Sequence, residues 1–334
     1  MNVRQVIPRD AIPSIDDPRF GQDHRGPASD EAVVLEAEDG PARAYPIRIL
    51  DYHEVVNDEV SGASVAVTWC PLCASAVVYD AVVDGRRLTF GVSGKLADDD
   101  LVLYDRETDS AWKQSSGVCI DGPLEGARLS PRASSLTTVD RFFERYPDGR
   151  VLQPVPDAES EAASEDDDPA PVDYDERPYA GYFASDEVGL AGLRGDGDGG
   201  RTWDRRDLDP KAVVLGIERD GDALGIPFPW VREAGGVLRT SVGKNEIVVV
   251  AGEAGIHAFE APDFALEFAR AVEDANADAD TDATDDPPLV GDGTTWDPVT
   301  GESEDGRRLE TVPAKRLFAF AWCDDHGQES LVDR

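Results

Sequence analysis

Short stretches of alternating apolar and polar residues dominate the chain, and a period of two is the mark of a half-buried β-strand. Residues 32–47, AVVLEAEDGPARAYPI, set two such stretches on either side of Asp39-Gly40, a dipeptide suited to a hairpin turn. Residues 64–69 and 74–83 alternate in the same way, and Asp84-Gly85 turns the chain into a further strand at 87–92. Residues 101–105 and 112–120 add two more. Helical spacing is rarer. Residues 47–56 predict a short helix, and residues 136–146 a second, with Val139, Phe142, Phe143 and Tyr146 on one face and Pro147 as its stop. Many short strands with a few peripheral helices predict an α+β fold.

The pattern repeats. Ala32-Val33-Val34-Leu35 returns 180 residues later as Ala212-Val213-Val214-Leu215. At the same offset Ala76-Val77-Val78-Tyr79-Asp80 meets Ile256-His257-Ala258-Phe259-Glu260, and Gly126-Ala127-Arg128-Leu129 meets Gly306-Arg307-Arg308-Leu309. Trp112 pairs with Trp296 after a small gap. Several matches on one diagonal predict a tandem duplication, about residues 30–155 and 210–334. Two acidic, small-residue runs, 156–172 and 273–287, have too few apolar residues to offset their ordering entropy and are expected to be disordered or weakly ordered. The expected organisation is an N-terminal repeat at 1–155, an acidic linker at 156–172, and a second, degenerate repeat at 173–334 with an acidic insertion near 273–287.

Charge changes the picture of the surroundings rather than of the fold. The chain has 69 acidic against 32 basic residues, a formal net charge of -37, and only five of its basic residues are lysine. Such a surface repels itself in dilute buffer, and molar salt removes that penalty by shortening the screening length to roughly 3 Å. An acid-rich, lysine-poor chain is expected of an extreme halophile. Nucleic acid is excluded as a partner because no basic stripe is present to neutralise phosphates. Neither a signal-like apolar N-terminus nor a stretch near 18 uncharged apolar residues is found, so a membrane is not expected as partner and the cytoplasm is the expected compartment. There the four cysteines, Cys70, Cys73, Cys119 and Cys323, are expected as reduced thiols or metal ligands.

The words VIPRDAIPSIDDPRF, ARAYPIRILDYHEVVND, VAVTWCPLCASAVVYD, FGVSGKLADDDLVLYDRETDSAWKQ and PYAGYF resemble a family catalogued as a domain of unknown function, number 3179, here in a haloarchaeal-type member. The resemblance runs nearly end to end, densest in the first half. It implies no activity. It does imply a Gly after the second cysteine of Cys-Pro-Leu-Cys, where this chain has Ala74.

Cys70-Pro71-Leu72-Cys73 carries the strongest chemical signal. Thiols at i and i+3 share a metal ion or form a disulfide. Redox pairs of this spacing open a helix, whereas ASAVVYDAVV reads as a strand, which favours a metal-holding knuckle. No second Cys-x-x-Cys exists, so the site is expected to be incomplete, with an open position of the kind catalysis or metal transfer uses. Soft thiolates suit Zn or Cu(I). His53 is the expected third donor or a general base; His53-Glu54-Val55-Val56-Asn57 lacks the second His of a zinc-protease signature. Lys95, in Gly91-Val92-Ser93-Gly94-Lys95, does not fit a phosphate-loop pattern but is expected to hold an anion or a developing negative charge. Asp105 and Glu107 are candidate ligands or proton carriers, with surface pairing to Arg106 as the plainer role. The run 195–200, rich in Gly and Asp, lacks the spaced ligands of a calcium loop.

The second repeat has Val250 and Glu253 where the first has its cysteines, so any chemistry is expected in the first, acting on a small molecule or metal ion that the sequence does not name. Two alternatives stand beside a metal site. One is a thiol redox or organometal-type enzyme, because Trp69-Cys70-Pro71-Leu72 is similar to the Trp-Cys-x-Leu segment of organomercurial lyases. The other is a non-catalytic binding or scaffold module with packed cysteines.

Overall fold

The computed structural model describes residues 1–164, 168–195, 203–269 and 286–334. Strand outweighs helix, 40% against 15%, which places the chain in the strand-rich, mainly β or α+β, class. The predicted hairpin closes as Glu31–Leu35 and Arg43–Pro46, and the strand at 64–69 extends to Ala63–Cys70, pairing with Val55–Val60 and Ser75–Asp80.

Three differences from the sequence expectation have local causes. The helix expected at 47–56 stops at His53, because Glu54 turns left-handed (φ 57°) and the next residues join the sheet as Val55–Val60. The helix expected at 136–146 opens instead with a strand, Ser135–Thr138, laid against Glu31–Leu35, and becomes helical only over Val139–Arg145. Here ladder pairing overrides helical spacing. The strand expected at 112–120 is two, Ala111–Lys113 and Val118–Asp121, split by a turn at Gly117 (φ 67°).

The central six-stranded sheet is antiparallel throughout. Its order runs Asp222–Pro227, Val213–Arg219, Lys315–Phe318, Ser75–Asp80, Ala63–Cys70, Val55–Val60. The sheet therefore crosses from one half of the chain to the other, at the pairing of Arg316 with Ala76. One contiguous core follows it, from Val33 and Tyr45 through Trp69 and Trp112 to Leu317 and Trp322. Two five-stranded sheets flank it. One joins Val3–Gln5, Phe90–Ala97, Asp100–Asp105, Ala111–Lys113 and Val118–Asp121, and the other contains the first hairpin.

Element order recurs along the chain. In each half a hairpin leads into a short helix (Ile47–His53, Phe228–Glu233), a three-stranded meander, and a final strand and helix (Ser135–Arg145, Lys315–His326). Isolated bridges also recur, Tyr79 with Pro131 and Phe259 with Thr311. Among the described residues of the acidic run at 156–172, expected to be disordered or weakly ordered, Glu159–Ser160 pairs with Ala170–Pro171 and Ser160 is buried, its hydroxyl donating to the Tyr52 carbonyl at 2.8 Å. Most of the insertion near 273–287 and the Gly-Asp run after Gly195 lie outside the described residues. Among the described residues no helix is long and apolar enough to cross a membrane.

Candidate functional site

The two cysteines sit on a hairpin turn. Cys70 ends the strand Ala63–Cys70 and pairs with Ser75, which opens the next, leaving Pro71, Leu72, Cys73 and Ala74 as the loop. Ala74 adopts φ 46°, the left-handed conformation that Gly occupies without penalty and other residues at a cost of about 1–2 kcal/mol. That backbone demand explains the Gly implied at this position by the family pattern. The turn is fixed from outside as well. The Tyr182 hydroxyl donates to the Leu72 carbonyl at 2.7 Å, and the Phe318 amide donates to the Cys73 carbonyl at 2.7 Å.

Asp100 is the third member. It opens the strand Asp100–Asp105 directly after Asp98 and Asp99, both with positive φ, and this sharp reversal turns its carboxylate inward. Donor atoms of Cys70, Cys73 and Asp100 all lie within 4.8 Å of one another, and all three residues are buried. All four cysteines are free thiols. The Cys73 thiol also donates to the Asp99 carbonyl at 3.5 Å.

Electrostatically the site is short of positive charge. Asp100 Oδ2 accepts from the Ser115 amide at 2.9 Å, while Oδ1 is buried with no hydrogen-bond partner among the described residues. Burial raises the Asp100 carboxyl to about 6, with Lys113 opposing the shift. Its neighbour Cys70 and then burial push the Cys73 thiol well up. Lys113 is the cation whose charge acts on both Asp100 and Cys73. Burial alone would lower it, but Asp100 and Asp325 more than offset that, and its ammonium pairs with Asp325. Asp325 comes from the last helix, Ala319–His326, and accepts from the Ser115 hydroxyl at 2.7 Å, so the second half of the chain buttresses a site built by the first.

The long motif ending AWKQ forms the back wall. Gln114 donates to the Thr68 hydroxyl at 2.8 Å and to the Ser75 carbonyl at 3.2 Å, and the Tyr79 hydroxyl donates to the Gln114 carbonyl at 2.7 Å. Asp105 is fully buried in a structural role: it accepts from the Thr108 amide at 2.6 Å and from the Trp112 indole at 2.9 Å. Glu107 is exposed and accepts from the Thr89 amide at 2.7 Å, and Arg106 pairs with Asp16 rather than with either acid. Neither Asp105 nor Glu107 joins the thiols.

Nor does His53. Its Nδ1 lies 2.8 Å from the Pro13 carbonyl, which only accepts, so that nitrogen carries the proton and Nε2 accepts from the Tyr174 hydroxyl at 2.6 Å. Burial lowers its pKa, keeping the ring neutral. With both nitrogens engaged there, His53 stands outside the close-set group, whose third member is the Asp100 carboxylate.

Lys95 does approach. It lines a cavity of about 100 Å³ whose wall includes Cys70, Leu72, Glu54 and Tyr179. Cys70 thus belongs both to the donor group and to the cavity wall, whereas Cys73 and Asp100 lie behind it.

The profile of the family described as a protein of unknown function (DUF3179) matches residues 9–329. The chain belongs to the DUF3179 family. No curated protein and no solved structure matches it. Within the family words quoted above, the thiols, Asp100, Lys95, Lys113 and Gln114 all gather around one turn, while the histidine of the YHEVV word is held by Pro13 and Tyr174.

Sequence reasoning missed Asp100, Glu54 and Lys113. For Asp100 a signal existed in principle: it stands five residues after Lys95 inside the same motif, immediately before the strand predicted at 101–105. In a chain with 69 acidic residues, however, nothing in spacing separates it from Asp98 and Asp99.

Proposed function

We propose that Cys70, Cys73 and Asp100 bind a single metal ion, with an open position facing the cavity. The observation that carries this is the donor group itself: two thiols and a carboxylate within 4.8 Å, with a buried carboxylate oxygen that has no hydrogen-bond partner among the described residues. A buried, unpaired carboxylate oxygen costs several kcal/mol unless a cation or proton satisfies it. Sulfur with oxygen favours Zn over Cu(I), which prefers sulfur alone. Three protein ligands and one free position are the pattern of a catalytic rather than a structural zinc site.

Thiol redox chemistry is less well supported. It uses a depressed thiol pKa, and Cys73 is shifted the other way. An organometal-type reading has one observation in its favour. Asp100, raised to about 6, is a carboxylic acid beside two thiols; the thiolates would take the metal of a carbon–metal bond and the acid would protonate the released carbon. Benzene evolved from phenylmercuric acetate is the readout for that step.

We also infer that the two halves arose by duplication of one unit, from the matched element order and the bridges 180 residues apart. A salty, reducing cytoplasm is the compartment favoured by the net charge of -37 and the free thiols.

The test is metal content by mass spectrometry of protein purified in molar salt under reducing conditions. The expected result is near one equivalent of zinc in the wild type, lost in Cys70→Ser/Cys73→Ser and reduced in Asp100→Asn. Equal metal content in wild type and the double variant, or none in either after reconstitution, overturns the reading.

A further inference from the structure

The cavity beside Cys70 has the makings of a ligand pocket for a definite chemical class. Its walls are apolar, with Ile12, Leu72, Val92 and Leu101 all buried. At about 100 Å³ it exceeds several-fold the roughly 10–15 Å³ that one water needs. Four charged side chains line it, and two of them, Lys95 and Glu54, are put there by unusual backbone.

Lys95 follows a break in strand register between Val92 and Lys95. Gly94 makes that bulge (φ 72°), and its carbonyl accepts from the amides of Val6 and Ile7 at 2.9 and 3.1 Å. A Cβ at Gly94 would stand 2.1 Å from the Ile7 carbonyl oxygen, so only Gly permits the arrangement. Bulges of this kind re-aim the side chain that follows. The re-aimed Lys95 has no ion pair among the described residues, although acids outnumber bases by 69 to 32 along the chain. A lysine with no ion pair among the described residues of so acidic a protein, in the wall of a largely apolar cavity, is positioned for an anion from outside. Glu54 enters the wall on its left-handed backbone, buried, at the end of the helix Ile47–His53. The remaining charged groups of the wall are Glu161 and Arg194.

We propose that this cavity binds a small organic acid, its apolar body against Leu72 and Val92, its anionic head on Lys95, and its near end at Cys70 Sγ. The Glu54 carboxyl, also in the wall, is the hydrogen-bond partner. Burial, followed by the charges of Glu161 and Asp51, raises that carboxyl to about 8, so at neutral pH it does not repel the anion. The proposal supplies a substrate class for the metal site but does not require the metal.

The experiment uses metal-free, reduced protein in about 1 M KCl, followed by fluorine NMR with 4-fluorobenzoate and its uncharged analogue 4-fluorobenzamide. Expected is saturable binding of the benzoate, weakened tenfold or more by Lys95→Met, restored by Lys95→Arg, and unchanged by Lys244→Met, which removes the same charge from an exposed turn. Binding should persist in Cys70→Ser/Cys73→Ser, so a failed metal site and a failed pocket give different results. Equal benzoate affinity in wild type and Lys95→Met overturns the proposal, as does the absence of saturable binding of benzoate, hexanoate or acetate at concentrations above the millimolar range.

Discussion

Glu54 carries two costs at once, a left-handed backbone at φ 57° and a fully buried carboxyl. Each costs of order 1–3 kcal/mol and persists only where surrounding structure enforces it. The carboxyl has an observable consequence. Its folded pKa, about 8, lies above the ordinary 4.5, so the folded state holds a proton that the unfolded state has lost. The stability tied to that proton is complete below about 4.5 and is lost as pH rises to about 8. Asp51 and Asp100 act in the same direction but only up to about 6, and the lowered pKa of His53 and His257 acts oppositely below 6.5. Between about 6.5 and 8 the slope therefore belongs to Glu54. Denaturant unfolding of metal-free protein at constant KCl should show stability falling across that window in the wild type and flat in Glu54→Gln, with the variant the more stable by one to a few kcal/mol at pH 8.5. An unchanged slope in the variant would show that another group is responsible. At this scale the sequence was partly legible. The spacing of Cys70 and Cys73 announced a site because i and i+3 on a turn bring two sulfurs together whatever the fold. The roles of Glu54, Asp100 and Lys113 depend on which strands stack around them, and no local pattern encodes that.

Turns and bulges, rather than strands, position the chemistry. Alternation made the strands readable, including both partners of the hairpin that carries the thiols. It did not reveal that residues 135–138 pair as an edge of the first sheet, because Val139 and Phe142 keep helical spacing across the junction. Nor did it reveal the bulge at Ser93-Gly94, which within the sequence is one more Gly beside a lysine. Two glycines separate the bulge's steric demand from a general preference for Gly. Gly94 and Gly126 both have positive φ, +72° and +85°, but a Cβ at Gly126 meets nothing within 4 Å, whereas at Gly94 it strikes the Ile7 carbonyl. Gly126→Ala should cost about 1 kcal/mol, the left-handed penalty alone, and Gly94→Ala at least about 2 kcal/mol more as the Val3–Gln5 edge is displaced. Chemical denaturation of both variants measures the difference. Equal costs would mean that the N-terminal edge yields freely and that Gly94 does not shape the cavity wall.

For the whole molecule, the two halves share one sheet and one core, and the last helix reaches back to Lys113 through Asp325. Cooperative unfolding follows from that sharing, and it makes net charge a property on which every element depends together. With 69 acidic and 32 basic residues, many carboxylates have no cation to pair with whatever the surface geometry, and their mutual repulsion is limited only by salt. The screening length is roughly 3 Å at 1 M ionic strength and roughly 10 Å at 0.1 M, so at the lower value most neighbouring carboxylates repel one another unscreened. The unfolded chain relieves that repulsion by expanding, so low salt favours it. Circular dichroism followed through a KCl series should show a melting temperature that falls steeply from molar salt to 0.1 M, with loss of strand signal at the low end. Sucrose at matched water activity separates screening from solute exclusion, since an excluded neutral solute strengthens burial without screening charge. A melting temperature unchanged between 0.1 M and molar KCl would sink the halophilic reading of the charge, and sucrose restoring stability as fully as KCl would assign the effect to hydration rather than repulsion.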